Sequence, residues 1–247
     1  IKCQIDVALP VLEDLKIKSF FFVYTSMFED KPDSLEIFRY FRMNYFENVN
    51  GFYQNFYKIL DLNLETFFKS KQGIISERKK RYPFYTEEDL KFRLIRDEHL
   101  EEKDYEKIMI SLMRKKNFNP ENVYKKLFFD KEDVVLLDNL GHTIGLHSHY
   151  HHTKKEKLSY QEQINDYTTN KKFLTKLLNK PSNYIRTASH PCGSYNQDTF
   201  KVFESLGIEL AFKDSMEVEK EKNMIKINNS KFEIAREDHI NILREID

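Results

Sequence analysis

Apolar and polar positions divide the chain into a short front, a long helical middle and a back with an alternating rhythm. Near the front, Leu9, Leu12 and Leu15 recur at helical spacing and predict a short helix over 7–15. Ser19-Phe20-Phe21-Phe22-Val23-Tyr24 follows, a continuous apolar run too short for a helix and rich in β-formers. Such a run marks a strand buried on both faces of a parallel sheet. A helix feeding that strand implies an earlier parallel partner, because parallel strands are joined by crossovers. Only a few residues precede the helix, so the partner strand is expected before Ile1.

From about 35 to 140 glycine nearly vanishes and aromatic residues recur at helical spacing, as in Phe38, Phe41, Tyr45 and Phe52, Phe56, Ile59. Further helical patterns cover 62–71, 87–95, 105–115 and 120–129. Asn119-Pro120 reads as an N-cap with proline at the first helical position. Asp130 can cap one more helix. The aromatic stripes are read as core, since helices must bury an apolar face. Arg78-Lys79-Lys80-Arg81 is read as a solvated helix end, with phosphate or anionic-sugar contact as the alternative. The whole stretch is expected to be a helical insertion within an α/β frame.

After it the alternation returns. A strand is predicted over 143–146, and Ser159 with Glu162 has capping-box spacing at the head of a helix reaching 178. Strands follow at 184–188 and 208–212, separated by a helix over 197–206 that Gly207 ends. A last strand is expected over 231–235, before a short terminal helix. Strands and helices of these lengths in alternation argue for a parallel sheet or a barrel.

Composition narrows the functional classes. At 247 residues the chain can bury one large core. Its 40 basic and 40 acidic residues balance, so no global field draws it to nucleic acid or anionic lipid. Cys3 and Cys192 are no disulfide framework and suit a reducing compartment. No apolar run approaches the ~18 residues of a membrane span, and no signal-peptide pattern opens the chain. A cytoplasmic location is the expectation.

The candidate chemistry lies in Gly141-His142-Thr143-Ile144-Gly145-Leu146-His147-Ser148-His149-Tyr150-His151-His152. Imidazole is the commonest protein ligand for transition metals, and a strand end is where α/β folds present their chemistry. Continued strand would place His147, His149 and His151 on one face, whereas a turn into helix would pair His147 with His151. Either arrangement can offer two imidazoles to one ion. A hydrolytic site needs a third ligand, preferably a carboxylate.

Residues Gly141 to His151 resemble the second motif of the polysaccharide deacetylases, the NodB-homology domain. The segments Ala8–Leu12 and Ile17–Val23 are similar to that family's first helix and second strand. Ser189-His190-Pro191-Cys192-Gly193-Ser194-Tyr195-Asn196 resembles its third motif. The resemblance implies one domain over 1–247, an α/β distorted (β/α) barrel with the helical insertion at 35–140. It also implies a divalent metal, often zinc, held by an Asp-His-His triad with His147 and His151 as the histidines. His149 is not a ligand in that pattern. The backbone N–H of Cys192 would face the oxyanion of the tetrahedral intermediate. His239 lies near the place of the family's general acid. Arg236 could orient a carboxylate or bind an acidic sugar, and His190 could touch substrate.

Two departures from the family pattern stand out. Ser189 occupies the place of the third-motif arginine. The Asp-Asp motif that supplies the base and the third ligand is expected upstream of Ile1, and Asp6 does not stand in for it. The implied activity is removal of N-acetyl groups from a sugar of a polysaccharide or glycan precursor, with the insertion covering the barrel mouth or forming a homo-oligomer contact. Two alternatives are a degenerate barrel that binds carbohydrate and an amidohydrolase-type metallohydrolase using His147-Ser148-His149 as its His-x-His.

Overall fold

A computed structural model describes residues 1–29, 34–81, 84–214, 230–236 and 242–243. The helices in chain order are α1 (Leu9–Asp14), α2 (Ser34–Asn44), α3 (Val49–Tyr57), α4 (Leu64–Ser70), α5 (Gln72–Arg81) and α6 (Glu87–Leu94). They continue with α7 (Glu102–Lys115), α8 (Tyr124–Leu127), α9 (Lys131–Asn139), α10 (Tyr160–Leu177) and α11 (Gln197–Ser205). The strands are β1 (Phe20–Val23), β2 (Thr143–Leu146), β3 (Thr187–Ser189) and β4 (Leu210–Phe212). Two compact units result, one from 1–33 with 125–247, the other Ser34–Tyr124. The stretch expected as one insertion, 35–140, therefore runs across both. Its last helix, α9, belongs to the first unit and leads into β2, with the His142 amide donating to the Leu137 carbonyl at the junction.

The first unit is built on a parallel sheet in the order β1-β2-β3-β4. Sequential order with every strand parallel is how a barrel wall is laid down. The closed barrel is nevertheless not what the described residues form: the sheet is open. The strand expected over 231–235 reduces to a single parallel bridge, Phe212 to Ile234. On one face Phe21, Val23, Ile144, Leu146, Ala188 and Ala211 are buried. Here α9 and α10 pack on β2, and α11 on α10. Each large apolar side chain so removed from water contributes about 1.5–3 kcal/mol.

The opposite face carries Phe20, Phe22, Leu210 and Phe212. Phe20 and Phe22 of β1 bring their rings to 5.1 and 5.4 Å from Phe212 of β4. In a flat sheet those strands would lie about 14 Å apart, three spacings of about 4.8 Å. The rings meet because the sheet curls towards this face and because Phe22 lies over β2 at Gly145. A Cβ on Gly145 would stand 2.5 Å from Phe22 Cδ1 and 2.8 Å from Thr187 Oγ1. Only glycine leaves that space open.

Capping matches the sequence signals. Ser159 and Glu162 form the capping box of α10, and Asp130 with Asp133 forms one at α9. Asn119 caps as expected, but Pro120 opens a 3-10 turn, Pro120–Val123, and α8 begins only afterwards. In the second unit the aromatic stripes form the interior. Phe41, Phe52, Phe56 and Phe92 are fully buried, with the Phe92 ring 5.3 Å from Phe52 and 5.1 Å from Phe56 in edge-to-face arrangements. No helix among the described residues is long and apolar enough to cross a membrane.

Candidate active site

His147 is the first residue beyond β2. Its amide donates to Asn170 Oδ1 at 3.2 Å, and its Nδ1 lies 3.1 Å from the Ser189 carbonyl and 2.7 Å from Ser189 Oγ. A ring N–H given to a backbone carbonyl leaves Nε2 as the lone-pair nitrogen, the usual arrangement behind a metal-binding imidazole. Burial holds the His147 pKa well below that of free histidine, and the nearby His151 and Arg236 act in the same direction. Neutral imidazole is the form that binds metal.

After His147 the chain is neither strand nor helix. Ser148 and His151 adopt left-handed backbone, at φ 64° and 53°. This reversal brings the His147 and His151 rings to a centroid separation of 4.8 Å. The His151 amide donates to Ser148 Oγ at 3.1 Å, which helps hold the second bend.

His149 turns the other way. Its Nδ1 is 2.8 Å from Thr25 Oγ1, and its Nε2 is 3.1 Å from Glu29. Asn170 Nδ2 donates to that same Thr25 oxygen at 3.1 Å and to the Val23 carbonyl at 2.9 Å. The hydroxyl is thereby free to donate to Nδ1, leaving Nε2–H for Glu29. With both ring nitrogens engaged, His149 does not share an ion with His147. The amidohydrolase-type alternative, which needs that pair, is at odds with this geometry.

The loop is held from α10. Asp166 Oδ1 accepts the His149 and Tyr150 amides at 3.2 and 3.0 Å, while Oδ2 pairs with Lys155, which is completely buried. The Lys155 side chain also passes over the Tyr167 ring, 5.0 Å from its centroid. Asp166, Asn170, Lys155 and the Ser189 contact escaped the sequence reading. A signal existed for two of these groups: Asp166 and Asn170 lie, with Gln163, on the same helical stripe as Tyr167 and Leu174, which marks them as buried polar residues.

The turn after β3 supplies the other half. Pro191–Gly193 forms a 3-10 turn in which Cys192 is left-handed at φ 52° and exposed. Gly193 follows at φ +68°, and a Cβ there would be 2.4 Å from Asp214 Oδ1, so two independent constraints require glycine. Arg236 Nε donates to the Lys213 carbonyl at 2.5 Å, and its charge acts on both His147 and His190.

His190 is not placed to touch substrate. It is 1% exposed, stacked on Tyr195 at 4.2 Å, with Nε2 2.7 Å from the Phe232 carbonyl. Burial lowers its pKa to about 4. Its role is packing. His239 lies outside the described residues.

The two imidazoles suit a divalent metal in their proximity, and His147 also in its neutral form and in its contact with Ser189. Catalytic zinc takes three protein ligands, and no group of three or more candidate ligands occurs among the described residues. His147 and His151 thus fit as two members of a donor set that these residues do not complete.

Over residues 110–211 the sequence matches the polysaccharide deacetylase family model. The fold is similar to that of the Streptococcus pyogenes deacetylase PplD in complex with acetate, at 15% identity and a TM-score of 0.41. That alignment covers 58% of this chain and 66% of the other. A CE4 family pseudoenzyme from Bacillus anthracis aligns at 17% identity with a TM-score of 0.30, covering 33% of this chain and 27% of the other. The BpsB deacetylase domain from Bordetella bronchiseptica aligns at 14% identity with a TM-score of 0.33, over 37% and 44%. The chain spans at most 66% of these relatives' lengths. No curated protein sequence matches it.

Proposed function

We propose, on the polysaccharide-deacetylase match over 110–211, that this chain is a metal-dependent hydrolase removing N-acetyl groups from a sugar of a polysaccharide or glycan precursor. The observation that carries the reading is the pairing of His147 and His151 at 4.8 Å, beside the left-handed turn at Cys192. A bound divalent ion, zinc by the chemistry of the donors, would polarise the acetamide carbonyl and lower the pKa of a water.

The chain's own residues do the rest. His147 and His151 would hold the ion, and a His147 Nδ1–H donated to the Ser189 carbonyl would leave Nε2 to face it. The amide of Cys192 is the donor for the developing oxyanion, a role that asks nothing of its thiol. Arg236 contributes positive charge near His147. His239 is the proposed proton donor to the leaving amine, because a histidine titrating near neutrality can both hold and release that proton.

The test is acetate release from several N-acetylated glycans by the whole protein, with zinc or cobalt and after chelation. We expect metal-dependent release that H147A and H151A each reduce by at least 100-fold. No release from any glycan with either metal, or release unaltered in both variants, refutes the proposal. Glycan binding without release would favour the degenerate carbohydrate-binding barrel instead.

A further inference from the structure

The helical unit contains a cluster of charge that its fold does not explain. A small recess is lined by Leu35, Phe38 and Tyr105 together with four arginines: Arg39, Arg42, Arg93 and Arg96. They come as two pairs at i, i+3 spacing, one on α2, the other on α6 and the π-turn Ile95–His99 that continues it. Arg39 is exposed at the rim, whereas Arg42 is buried and Arg93 and Arg96 are half-buried. Arg42 is 9% exposed, its guanidinium carbon 5.0 Å from the Phe92 ring centroid. That of Arg96 is 5.9 Å from the same ring, and that of Arg93 lies 4.0 Å over Tyr85.

Carboxylates answer only part of this charge. Glu36 takes Arg39 at 2.9 Å, and Asp97 takes Arg96 at 2.6 Å. Asp89 accepts the Tyr53 hydroxyl at 2.6 Å and stands 3.9 Å from Arg42 Nη1, beyond hydrogen-bond range. The Nε atoms of Arg42 and Arg93 are both buried with no acceptor among the described residues. A buried N–H left without an acceptor costs about 1–3 kcal/mol, and an apolar side chain of similar size at position 42 would avoid that cost. Burial, with repulsion from Arg96 and Arg42, also holds the Arg93 pKa below its usual value.

Guanidinium groups lining one recess form a receptor for an oxyanion, which accepts charge-assisted bonds from several of them at once. We propose that the helical unit binds a phosphate group, free or carried on a sugar, between Arg39 and Arg42 of α2 and Arg93 and Arg96 at the end of α6. The site lies wholly within Ser34–Tyr124 and does not rest on the deacetylase reading.

Titration calorimetry of the whole protein tests it. Inorganic phosphate and glucose 1-phosphate are the probes, with potassium chloride at matched ionic strength as the control. Saturable phosphate binding is expected, with the Arg42 and Arg93 Nε–H resonances moving on addition. R93Q should weaken binding at least tenfold. R39Q, at a largely exposed position that folding tolerates, should weaken it severalfold and decides the matter if circular dichroism shows R93Q unfolded. Tighter binding of the sugar phosphate identifies a group carried on a sugar, and tighter inorganic phosphate identifies a free ion. Phosphate indistinguishable from chloride, or wild-type affinity in a folded R93Q or in R39Q, overturns the proposal.

Discussion

Exchanging Asp166 for asparagine separates two jobs that one side chain performs. Asparagine keeps an oxygen to accept the His149 and Tyr150 amides, now at 3.2 and 3.0 Å, but leaves the buried Lys155 ammonium unpaired. Breaking a buried ion pair in this way costs about 3–5 kcal/mol. K155M leaves the carboxylate with two amide donors, and its loss should stay within about 1–3 kcal/mol. Burial already lowers the Lys155 pKa. Without Asp166 the lysine must shed its proton to stay buried, so its folded pKa falls further below its unfolded value. The D166N penalty is then complete at pH values below that folded pKa and shrinks as pH rises towards the unfolded one. Urea unfolding at pH 7 and pH 9.5, with amide exchange at His149 and Tyr150, measures both effects. A K155M loss equal to that of D166N, or a D166N loss identical at the two pH values, refutes the reasoning.

Other substitutions test neighbouring parts of the same unit. G145A should destabilise by about 1–3 kcal/mol through overpacking against Phe22, and the second change F22A should recover most of that loss in urea unfolding. N170A orphans the His147 amide and the Val23 carbonyl at about 1–3 kcal/mol each, read as faster amide exchange at the ends of β1 and β2. His190, neutral in the fold, contributes stability that is complete above about pH 6.5 and is lost as pH falls towards 4. A drop from 6.5 to about 4 corresponds to about 3 kcal/mol, so H190Q should flatten wild-type stability between pH 4 and 6.5. An unchanged pH slope in H190Q would show that another group titrates.

Local signals were the legible ones. The apolar run at Phe20–Val23, the capping boxes at Asp130 and Ser159 and the C-cap glycine at 207 each depend on neighbours within a few residues, and each is present. Spacing left the separation of His149 from His147 and His151 open, since a turn into helix gave it and a continued strand did not; the family pattern pointed to the first pairing. The left-handed Ser148 and His151 gave no sign, since neither is glycine. Their conformation is imposed by Asp166 and Lys155, whose pairing depends on how α10 lies against the loop. The arginine recess was missed for the same reason. Arg39 and Arg93 are far apart in sequence, whereas the basic run at Arg78–Arg81 is contiguous.

The placement of β1 has a kinetic corollary. Its junction with β2, Ser19 to His142, joins residues 123 apart, whereas β2 and β3 meet across 42 and β3 and β4 across 23. Closing a longer loop costs more entropy, and contacts of high sequence separation slow folding. Strands β2 to β4 with α10 and α11 can therefore assemble as an early nucleus. Phe20 and Phe22 join it last, sealing over Gly145 only once both rings have a surface to land on. Refolding should show a slow phase carried by β1 amides alone, and mutations in β1 should accelerate unfolding while leaving the early folding rate nearly unaltered.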